Sequence, residues 1–478
     1  MFDVIIIGAG VVGGLIAREL SKYSVNACIL EKENDVAMGT TKANSAIVHA
    51  GFDAEEGTLK AKLNVKGSEM MAEIASQLGV KYQNNGCFVV GFSEEDKLTV
   101  EKLYNRGIAN GVKGLEILSG EEARKLEPNL SKDVVVALHA KTSAIICPYD
   151  LTISAIGNAM DNGVSLKRNF KVSSINYKDG IYEVVSSEGE TVRANHVVNC
   201  AGLYTDEIAK MIGDNSFEII PRRGEYILLD KECGKTVSKT IFRTPTKMGK
   251  GILVSPTVDG NLLLGPTSQD IDDKQDFSTT REGLDLILKQ AKEDVDNISY
   301  NKAITSFCGL RAVTKQGDFI INSPKKGFIN VAGIDSPGLS SSPAIAVMVK
   351  DMLVKDGLKL EIKKDFKAKR QSSHFFRDLS VEEKNEIIKK DKSFGKIVCR
   401  CEVVTEGEIL HAIKSNPKPM DLDGVKRRTR AQMGRCQGGF CSPYIIKLLA
   451  EEMGVSVEDV TKKGNHSKII THKTKGMK

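Results

Sequence analysis

The opening stretch DVIIIGAGVVGG limits the fold of this chain more than any other feature. An apolar strand pattern runs directly into Gly8, Gly10 and Gly13, spaced G-x-G-x-x-G, and the helical sequence LIARELSKY follows. The first glycine allows a tight turn, the second lets the backbone approach a pyrophosphate, and the third lets the helix pack closely on the strand. Glu31 ends the next strand pattern, where a carboxylate can accept a hydrogen bond from a ribose hydroxyl. The pattern predicts a dinucleotide-binding α/β unit.

Length and composition narrow the class of protein. The chain has 478 residues, of which 41% are hydrophobic and 27% charged, and this is typical of a globular protein with two or three domains. We see no basic leader with a cleavage site and no run of eighteen apolar residues, so we expect a cytoplasmic protein without a transmembrane segment. A net charge of +6 is too small for this length to indicate a nucleic-acid partner.

The ten cysteines favour metal ligands and buried thiols over disulfides in such a chain. Six stand singly among ordinary neighbours, and we interpret these as core residues. They are Cys28, Cys87, Cys147, Cys200, Cys233 and Cys308.

The sequence texture predicts how the domains are arranged. Residues 1–355 alternate strand and helix patterns, but the segments at about 80–145 and 215–305 are short β-rich runs with Gly, Asn and Asp turns, a pattern typical of antiparallel sheet. Residues 356–395 are highly charged and predict a linker. We expect a small helical domain over residues 396–460 and a flexible tail over 461–478. The sequence SPYIIKLLAEEMG predicts a helix that begins at Cys441 or Ser442.

The small domain contains four closely paired cysteines, in VCRCE and MGRCQGGFC: Cys399, Cys401, Cys436 and Cys441. Four thiolates can hold zinc or an iron–sulfur cluster. A single residue between the first two cysteines is unusual for zinc, and glycines around the second pair free backbone N–H groups to approach sulfur. A basic run lies just before the second pair, and we expect it to compensate the negative charge of a cluster. It contains Lys426, Arg427, Arg428, Arg430 and Arg435.

Two further stretches, VVNCAG and INVAGIDSPGLSSSPAIA, are apolar strands that run into a glycine. With them, residues 1–355 resemble the D-amino-acid-oxidase-like superfamily of FAD-dependent oxidoreductases. The stretches NSAIVHAGFDAEEGTLKAKLNVKG, PRRGEYILLD, GLRAVTKQGDFII and SPGLSSSPAIA are similar to the branch that contains L-2-hydroxyglutarate and anaerobic-type glycerol-3-phosphate dehydrogenases. The four-cysteine stretch resembles the bacterioferritin-associated-ferredoxin-like [2Fe-2S] module.

The two resemblances imply an α/β fold with three parts: a Rossmann-like FAD-binding domain, an interleaved antiparallel β-rich substrate domain and a small C-terminal helical [2Fe-2S] domain. They imply FAD and a [2Fe-2S] cluster as cofactors, with the four paired cysteines as cluster ligands. The residues placed beside FAD are Gly8, Gly10, Gly13, Glu31, Lys32, Thr41, Asn44, Ser45, Val172, Gly202, Gly333, Gly338 and Leu339.

The resemblance also implies the catalytic residues. His49 falls where such enzymes place a histidine near the flavin, and its pKa range suits removal of a hydroxyl proton; alternatively it is a buried histidine that only hydrogen-bonds the backbone. Arg311 matches an arginine that binds the anionic group of the substrate, and the alternative is an ordinary ion-paired arginine. Arg223 and Tyr226 are further candidates.

One position departs from the pattern of the glycerol-3-phosphate enzymes, because Asp53 stands where membrane-bound and oxidase types have an arginine. Those enzymes also have a lysine in the final glycine-rich loop, where this chain reads GLSSSP. A phosphate site would therefore use other cations. The candidates are Lys60, Lys62, Arg223, Lys247 and Arg311.

The expected function is oxidation of a secondary alcohol on a small anionic substrate, with electrons leaving through the cluster to a partner. The first substrate candidate is sn-glycerol 3-phosphate, oxidised to dihydroxyacetone phosphate. L-2-hydroxyglutarate or a related 2-hydroxy acid is the second candidate, and an amine or amino acid is the third. The alternative of another class is a non-catalytic electron-transfer subunit. The resemblance implies a second FAD/NAD-type flavoprotein subunit as the electron acceptor.

Overall fold

The computed structural model describes residues 1–245, 251–371 and 375–472. The helices in these ranges are α1 (Val11–Leu20), α2 (Leu59–Leu78), α3 (Glu94–Ala109), α4 (Gly120–Leu126), α5 (Pro148–Asp161), α6 (Thr205–Lys210), α7 (Arg281–Asp294), α8 (Gly338–Lys355), α9 (Val381–Lys390), α10 (Glu406–Lys414), α11 (Leu422–Thr429) and α12 (Ser442–Met453). The strands are β1 (Phe2–Ile7), β2 (Ala27–Leu30), β3 (Ile47–Val48), β4 (Tyr82–Gln83), β5 (Cys87–Gly91), β6 (Leu115–Ser119), β7 (Val136–Ala140), β8 (Ala144–Ile146), β9 (Ser165–Lys167), β10 (Val172–Lys178), β11 (Ile181–Ser186), β12 (Thr191–Asn199), β13 (Ile220–Leu229), β14 (Thr240–Arg243), β15 (Leu253–Pro256), β16 (Leu262–Gly265), β17 (Gln269–Asp270), β18 (Ala303–Val313), β19 (Ile320–Lys325), β20 (Phe328–Ala332), β21 (Ile397–Cys399) and β22 (Val404–Thr405).

The first sheet is the predicted dinucleotide-binding sheet. Its central strand β1 pairs in parallel with β2 on one side and β12 on the other, and β12 also pairs in parallel with β20. In this register Ile7 lies beside both Leu30 and Asn199. The carboxyl ends of these four strands therefore meet along one edge, which is where ligands bind in open parallel sheets. Helices α1, α2, α5 and α8 pack with β1 in one apolar core.

The second sheet has nine strands in the order β17-β13-β16-β15-β14-β5-β7-β6, with β18 added beside β13. All its pairings are antiparallel except the one between β14 and β5. Its strands come from residues 87–140 and 220–313, so the chain leaves the first sheet twice to build it. This interleaving confirms the predicted α/β fold with an antiparallel β-rich second domain.

The cysteine-containing segment folds around its own small core, which contains Ile409, Val425, Ile445 and Leu449. Three short helices, α10 to α12, and the two-stranded β21–β22 sheet form it. Helix α12 begins at Ser442, as the sequence predicted. The six cysteines interpreted as core residues are all buried, which confirms that interpretation.

The charged segment that precedes this module lies along the body of the protein. The Ser24 backbone N–H donates to the Glu361 carbonyl oxygen, and the Lys363 backbone N–H donates to the Lys22 carbonyl oxygen. These two hydrogen bonds join the charged segment to the loop after α1. Helix α9 begins with a capping box formed by Ser380 and Glu383.

Across residues 1–245, 251–371 and 375–472, no helix has both the length and the apolarity that a membrane crossing requires.

Candidate functional site

A cavity of about 1960 Å³ lies at the carboxyl edge of the first sheet. Twelve of the thirteen residues predicted to contact FAD line it: Gly8, Gly10, Glu31, Lys32, Thr41, Asn44, Ser45, Val172, Gly202, Gly333, Gly338 and Leu339. Gly8, Glu31 and Gly333 stand just after β1, β2 and β20, which explains why distant parts of the sequence meet here. The cavity also contains three of the four catalytic candidates, His49, Tyr226 and Arg311.

The glycines take the positions that the motif requires. Gly8 has φ +107°, and a Cβ there would lie 2.4 Å from the Cys200 carbonyl oxygen. Gly13 lies under the turn rather than in the cavity, where a Cβ would meet the Gly8 carbonyl oxygen at 2.1 Å. The N-cap residue of α1 is Gly10, which has no side chain to cap the helix, and the first turn has no acidic residue, although the Val11 backbone N–H donates to the Thr41 hydroxyl oxygen at 3.0 Å. The helix therefore leaves an open N-terminal turn that suits a pyrophosphate.

Glu31 stands next to this turn and is almost fully buried. Its carboxylate accepts hydrogen bonds from the Ala9 backbone N–H at 2.8 Å and from the Glu33 backbone N–H at 2.9 Å. Burial raises the pKa of Glu31 to about 7, although both backbone hydrogen bonds act in the opposite direction. Together, the open helix turn and this carboxylate fit the phosphate and ribose groups of a dinucleotide.

His49 is held at the other part of the cavity, on the loop after β3. Its backbone N–H donates to the Ser340 hydroxyl oxygen at 2.7 Å, and Ser340 is fully buried at the start of α8. The imidazole packs against the Phe242 ring, with 5.7 Å between ring centroids. Sequence reasoning missed Ser340 as a positioning residue, although the serine run of SPGLSSSPAIA was visible.

Arg311 lies near the C-terminal end of β18, directly opposite Arg222 on β13. One terminal nitrogen of its guanidinium group donates to the Thr267 carbonyl oxygen at 2.7 Å. Its Nε is buried and has no hydrogen-bond partner among the described residues. The hydrogen bonds that Arg311 donates go to backbone carbonyl oxygens rather than to a carboxylate, so its charge stays available to an anion. Arg311 thus fits an anion that binds in the cavity.

Tyr226 is buried in the same cavity. Its hydroxyl group lies 3.2 Å from the Ser45 hydroxyl, and its ring stacks on Phe307. Burial raises the pKa of Tyr226, while the nearby Arg311 charge opposes the rise. Tyr226 is therefore a neutral hydrogen-bonding group at physiological pH.

The remaining cationic candidates are distributed differently. Arg223 lies outside the cavity and pairs with Asp276. Lys60 lines the cavity and pairs with Asp335 at 2.6 Å. Lys62 is exposed and does not line it, and Lys247 lies outside the described residues. Asp53 does line it.

The four paired cysteines come together as two pairs. The sulfur atoms of Cys401 and Cys436 are 3.7 Å apart. Cys399 and Cys441 share a hydrogen bond, which lowers the pKa of Cys399 to about 6 and raises the pKa of Cys441. Each pair combines one thiol from each sequence motif. In the described part of the chain, no three His, Cys, Asp or Glu side chains could hold a single metal ion. Two thiol pairs instead fit a centre in which each of two irons takes two thiolates.

Glycines and backbone N–H groups surround these sulfur atoms as predicted. Although burial raises the pKa of Cys436, backbone N–H groups of Gly438, Phe440 and Gly439 donate to its sulfur, and its net pKa is lowered. Gly434 is required by packing, because a Cβ there would lie 2.2 Å from the Cβ of Cys401. These backbone donors stabilise the Cys436 thiolate.

The basic run does not have the role that the sequence suggested. Arg427 and Arg428 both bind the fully buried carboxylate of Asp35, at 2.5 and 2.8 Å. Arg430 binds Asp259 at 2.8 Å and Glu402 at 2.9 Å. The prediction that the run compensates the cluster was therefore wrong for these three arginines, which attach the cysteine module to the rest of the protein.

Within the run, Arg435 does lie near a cluster ligand. Its charge acts on Cys401, but its guanidinium group also binds Asp230 and Glu232 on the second domain. The two arginines of α11 and the two beyond it thus hold the module against both larger domains.

Together, the cavity and the two thiol pairs define a flavin-dependent oxidoreductase with an attached iron–sulfur module. Comparison with known proteins agrees. The family model described as FAD dependent oxidoreductase matches residues 3–352, and the chain belongs to this family. The model described as BFD-like [2Fe-2S] binding domain matches residues 397–451. The cofactors of the protein are accordingly FAD and a [2Fe-2S] cluster, and both cofactor predictions are confirmed.

Three relatives place the chain more closely. It is 51% identical to a glycerol 3-phosphate dehydrogenase of Caloramator mitchellensis over 477 residues, which cover 99% of each chain. An L-2-hydroxyglutarate dehydrogenase of Bos taurus is 32% identical over 66% of this chain and 72% of its own length. The solved structure of dithionite-reduced L-alpha-glycerophosphate oxidase from Mycoplasma pneumoniae with FAD bound superposes with a TM-score of 0.74 and 32% identity, covering 77% of this chain and 98% of the other.

Proposed function

We propose that the protein oxidises sn-glycerol 3-phosphate to dihydroxyacetone phosphate and delivers the electrons through its [2Fe-2S] cluster to a partner protein. The observation that carries the proposal is that Arg311 lines the cavity that also contains His49 and pairs with no carboxylate among the described residues. An anion-binding group and a proton acceptor in one cavity suit a secondary alcohol on a small anion. The choice of glycerol 3-phosphate is supported by the full-length relative from Caloramator mitchellensis, which carries that activity in its name.

In this reaction the chain's own groups bind the substrate and remove a proton. The Arg311 guanidinium group donates to the phosphate, and its contact with the Thr267 carbonyl oxygen fixes its orientation. Tyr226 offers a second hydrogen bond near Ser45. The His49 imidazole accepts the proton of the C2 hydroxyl group, while the Ser340 contact holds its backbone. FAD, when bound, accepts the hydride that leaves C2.

We place the electron exit beside Cys401 and Cys436, which are partly exposed, whereas Cys399 and Cys441 are only 2% exposed. Phe440 stands directly before Cys441 and is 88% exposed. Exposed aromatic residues are enriched at protein interfaces. We propose that an electron-accepting subunit of the FAD/NAD-type flavoprotein class binds over this thiol pair and contacts Phe440.

We further propose that the protein works in the cytoplasm. All ten cysteines are free thiols in the structure, including the six that play no part in the cluster. Free thiols in this number are typical of a reducing compartment.

The test is anaerobic reduction of the bound flavin, which is monitored through the loss of its visible absorbance. Glycerol 3-phosphate should bleach the flavin of the purified holoprotein at millimolar or lower concentration. L-2-hydroxyglutarate and simple amino acids should leave it oxidised. Bleaching by L-2-hydroxyglutarate alone would assign the protein to the 2-hydroxy acid dehydrogenases. If none of these small molecules reduces the flavin but a reduced electron-transfer protein does, the result would favour a non-catalytic electron-transfer subunit.

A further inference from the structure

The cavity is lined by a segment that neither family match includes. Residues 463–467 line the same cavity as Glu31 and Lys32. They form a tight turn, because the Lys462 backbone N–H donates to the Ser467 carbonyl oxygen at 2.8 Å and Thr461 pairs with Lys468. The two family matches end at residues 352 and 451. The turn is therefore a part of the cavity wall whose role is not assigned.

The turn is packed directly against the loop that follows Glu31. Gly464 is buried there, and a Cβ on it would lie 2.6 Å from the side chain of Asn34. Asn34 in turn donates to the Asp421 carboxylate at 2.6 Å. Because Asn34 is only three residues from Glu31, the turn touches the loop that carries the predicted ribose-binding carboxylate.

Several contacts keep the turn in this position. The backbone N–H groups of Leu422 and Asp423 donate to the carbonyl oxygens of Thr461 and Lys462. Helix α11 is itself held against the same loop by the buried Asp35, which binds Arg427 and Arg428. The turn and the Glu31 loop thus form one fixed surface.

The position along the cavity identifies which part of the cofactor the turn faces. His49 and Arg311 mark the part where the substrate reacts, whereas Glu31 and the open turn of α1 mark the ribose and the phosphates. In a bound dinucleotide the adenine would lie beyond the ribose, and residues 463–467 line the cavity wall that packs on the loop after Glu31. Asn465 and His466 are exposed at this opening and carry an amide and an imidazole, both suited to the polar edge of a purine. Burial is the main cause that lowers the pKa of Lys42, and the positive charge of Lys463 lies close enough to lower it further.

We propose that residues 463–467 form the outer wall of the adenosine pocket, so that the C-terminal module supplies part of the FAD site. Asn465 and His466 contact the adenine, and Lys463 adds positive charge near the phosphates. The inference concerns cofactor binding alone and is independent of the substrate assigned above.

The test measures release of FAD from the holoprotein. The double variant Asn465→Ala with His466→Ala should raise the FAD dissociation constant about tenfold, the effect of losing one or two ordinary hydrogen bonds. Dilution of the holoprotein and the rise in flavin fluorescence give this constant. The matched control is Lys462→Ala with Lys468→Ala, because these lysines stand on the same turn, pair with Asp423 and Asp459, and do not line the cavity. A dissociation constant within twofold of the parent in the double variant, or an equal rise in the control, would overturn the proposal.

A second measurement does not depend on substitutions. Hydrogen exchange of the backbone amides in residues 461–468 should be slower in the holoprotein than in the same preparation stripped of FAD. Peptides from α9, whose residues do not line the cavity, should exchange at the same rate in the holoprotein and in the protein stripped of FAD. Equal exchange of the turn with and without FAD would contradict the inference. Iron and sulfide content, measured in parallel, should stay constant, which separates loss of the adenosine wall from loss of the cluster.

Discussion

Arg311 differs from three other cationic residues of the cavity in what its side chain contacts. Lys60, Arg222 and Lys274 each pair with a carboxylate. Arg311 donates hydrogen bonds only to backbone carbonyl oxygens among the described residues, and its buried Nε has no hydrogen-bond partner there. A paired cation has little charge left for a ligand, whereas an unpaired one attracts an anion strongly. This difference is the physical reason for assigning the anionic end of the substrate to Arg311.

Substitutions distinguish the proton-accepting role proposed for His49 from the anion-binding role proposed for Arg311. His49→Ala should slow anaerobic flavin reduction at saturating substrate by about 10²–10⁴-fold, the usual effect of a positioned base. Arg311→Ala should mainly raise KM, because it removes a group that binds substrate and transition state alike. Stopped-flow reduction over a range of substrate concentrations measures both, and Lys325→Ala, exposed on the first sheet, is the control. Unchanged flavin reduction in the His49 variant would remove its catalytic role.

The four paired cysteines lead to a prediction of metal content. Two thiol pairs should hold about two irons and two acid-labile sulfides per chain, with one FAD and little zinc. Metal analysis of anaerobically purified protein measures this directly. One zinc per chain in place of iron would contradict the assignment of two irons to the two pairs.

At the scale of single elements, the sequence predicted what depends on near neighbours. The strand, glycine turn and helix at residues 2–20 form within one short stretch, and helix α12 begins where Ser442 and Pro443 indicated. The sequence analysis named Arg223 of PRRGEY as a candidate, whereas Arg222 is the arginine of this stretch that lines the cavity. Alternate residues of a strand point to opposite faces, so Arg222 and Tyr226 share one face of β13, and Arg223 has the other. The sequence does not show which face the cavity occupies, because residues on both faces are largely buried.

Helix α7 carries a buried acid whose effect on stability depends on pH. Asp294 is 1% exposed, and neither oxygen has a hydrogen-bond partner among the described residues, although Arg243 lies 3.4 Å away. Burial raises its pKa from 3.8 to about 7, which Arg243 only partly offsets. The folded protein therefore keeps this proton at a pH where the unfolded chain has lost it, and the stabilising effect disappears as pH rises from about 4 to 7.

Replacing this carboxyl group should remove that dependence. The melting temperature of Asp294→Asn minus that of the parent should be more positive at pH 8 than at pH 5, because only the parent must bury a charge at pH 8. Calorimetry at the two pH values gives the comparison. Asp285→Asn, exposed on the same helix, should show no such change. Equal differences at pH 5 and pH 8 would show that Asp294 does not titrate in this range.

At the scale of the whole molecule, the basic run explains why the cysteine module is not a loosely tethered carrier. Arg427 and Asp35 are separated by 392 residues, and Arg430 and Asp259 by 171. No local sequence pattern connects partners this far apart. The sequence therefore suggested that the arginines compensate the charge of the cluster, whose cysteine ligands are nearer in the chain. Burial acts to raise the pKa of the Asp35 carboxyl group, but the two arginines keep this pKa well below its usual range.

Breaking this contact should affect both cofactors. Asp35→Asn leaves two buried guanidinium groups without their counter-charge, which costs about 3–5 kcal/mol for a buried pair. Thermal release of FAD and of iron should therefore shift together to lower temperature, followed by flavin fluorescence and an iron chelator. Asp351→Asn, which breaks a surface ion pair, serves as the control. Loss of iron at an unchanged FAD release temperature would show that the module and the flavin domain unfold independently.

The proposed electron exit is also testable in the whole protein. Phe440→Ala should lower turnover with the partner about tenfold or more, the effect expected for an aromatic anchor at an interface. Turnover with a small dye that reaches the flavin directly should not change. Ile362→Ala is the matched control, since Ile362 is 79% exposed but lies on the segment before the module. Equal partner-linked turnover in all three proteins would exclude the Phe440 surface.

The ion pair between Asp35 and the two arginines has a consequence for biosynthesis. A ribosome that has completed residues 1–400 has made Asp35 but neither arginine that binds its buried carboxylate. In such a chain the Asp35 carboxylate has no counter-charge from α11, so this contact between the flavin domain and the cysteine module can form only after residue 428 has been made. The two parts of the electron path are therefore joined late in synthesis, after the whole flavin domain is complete.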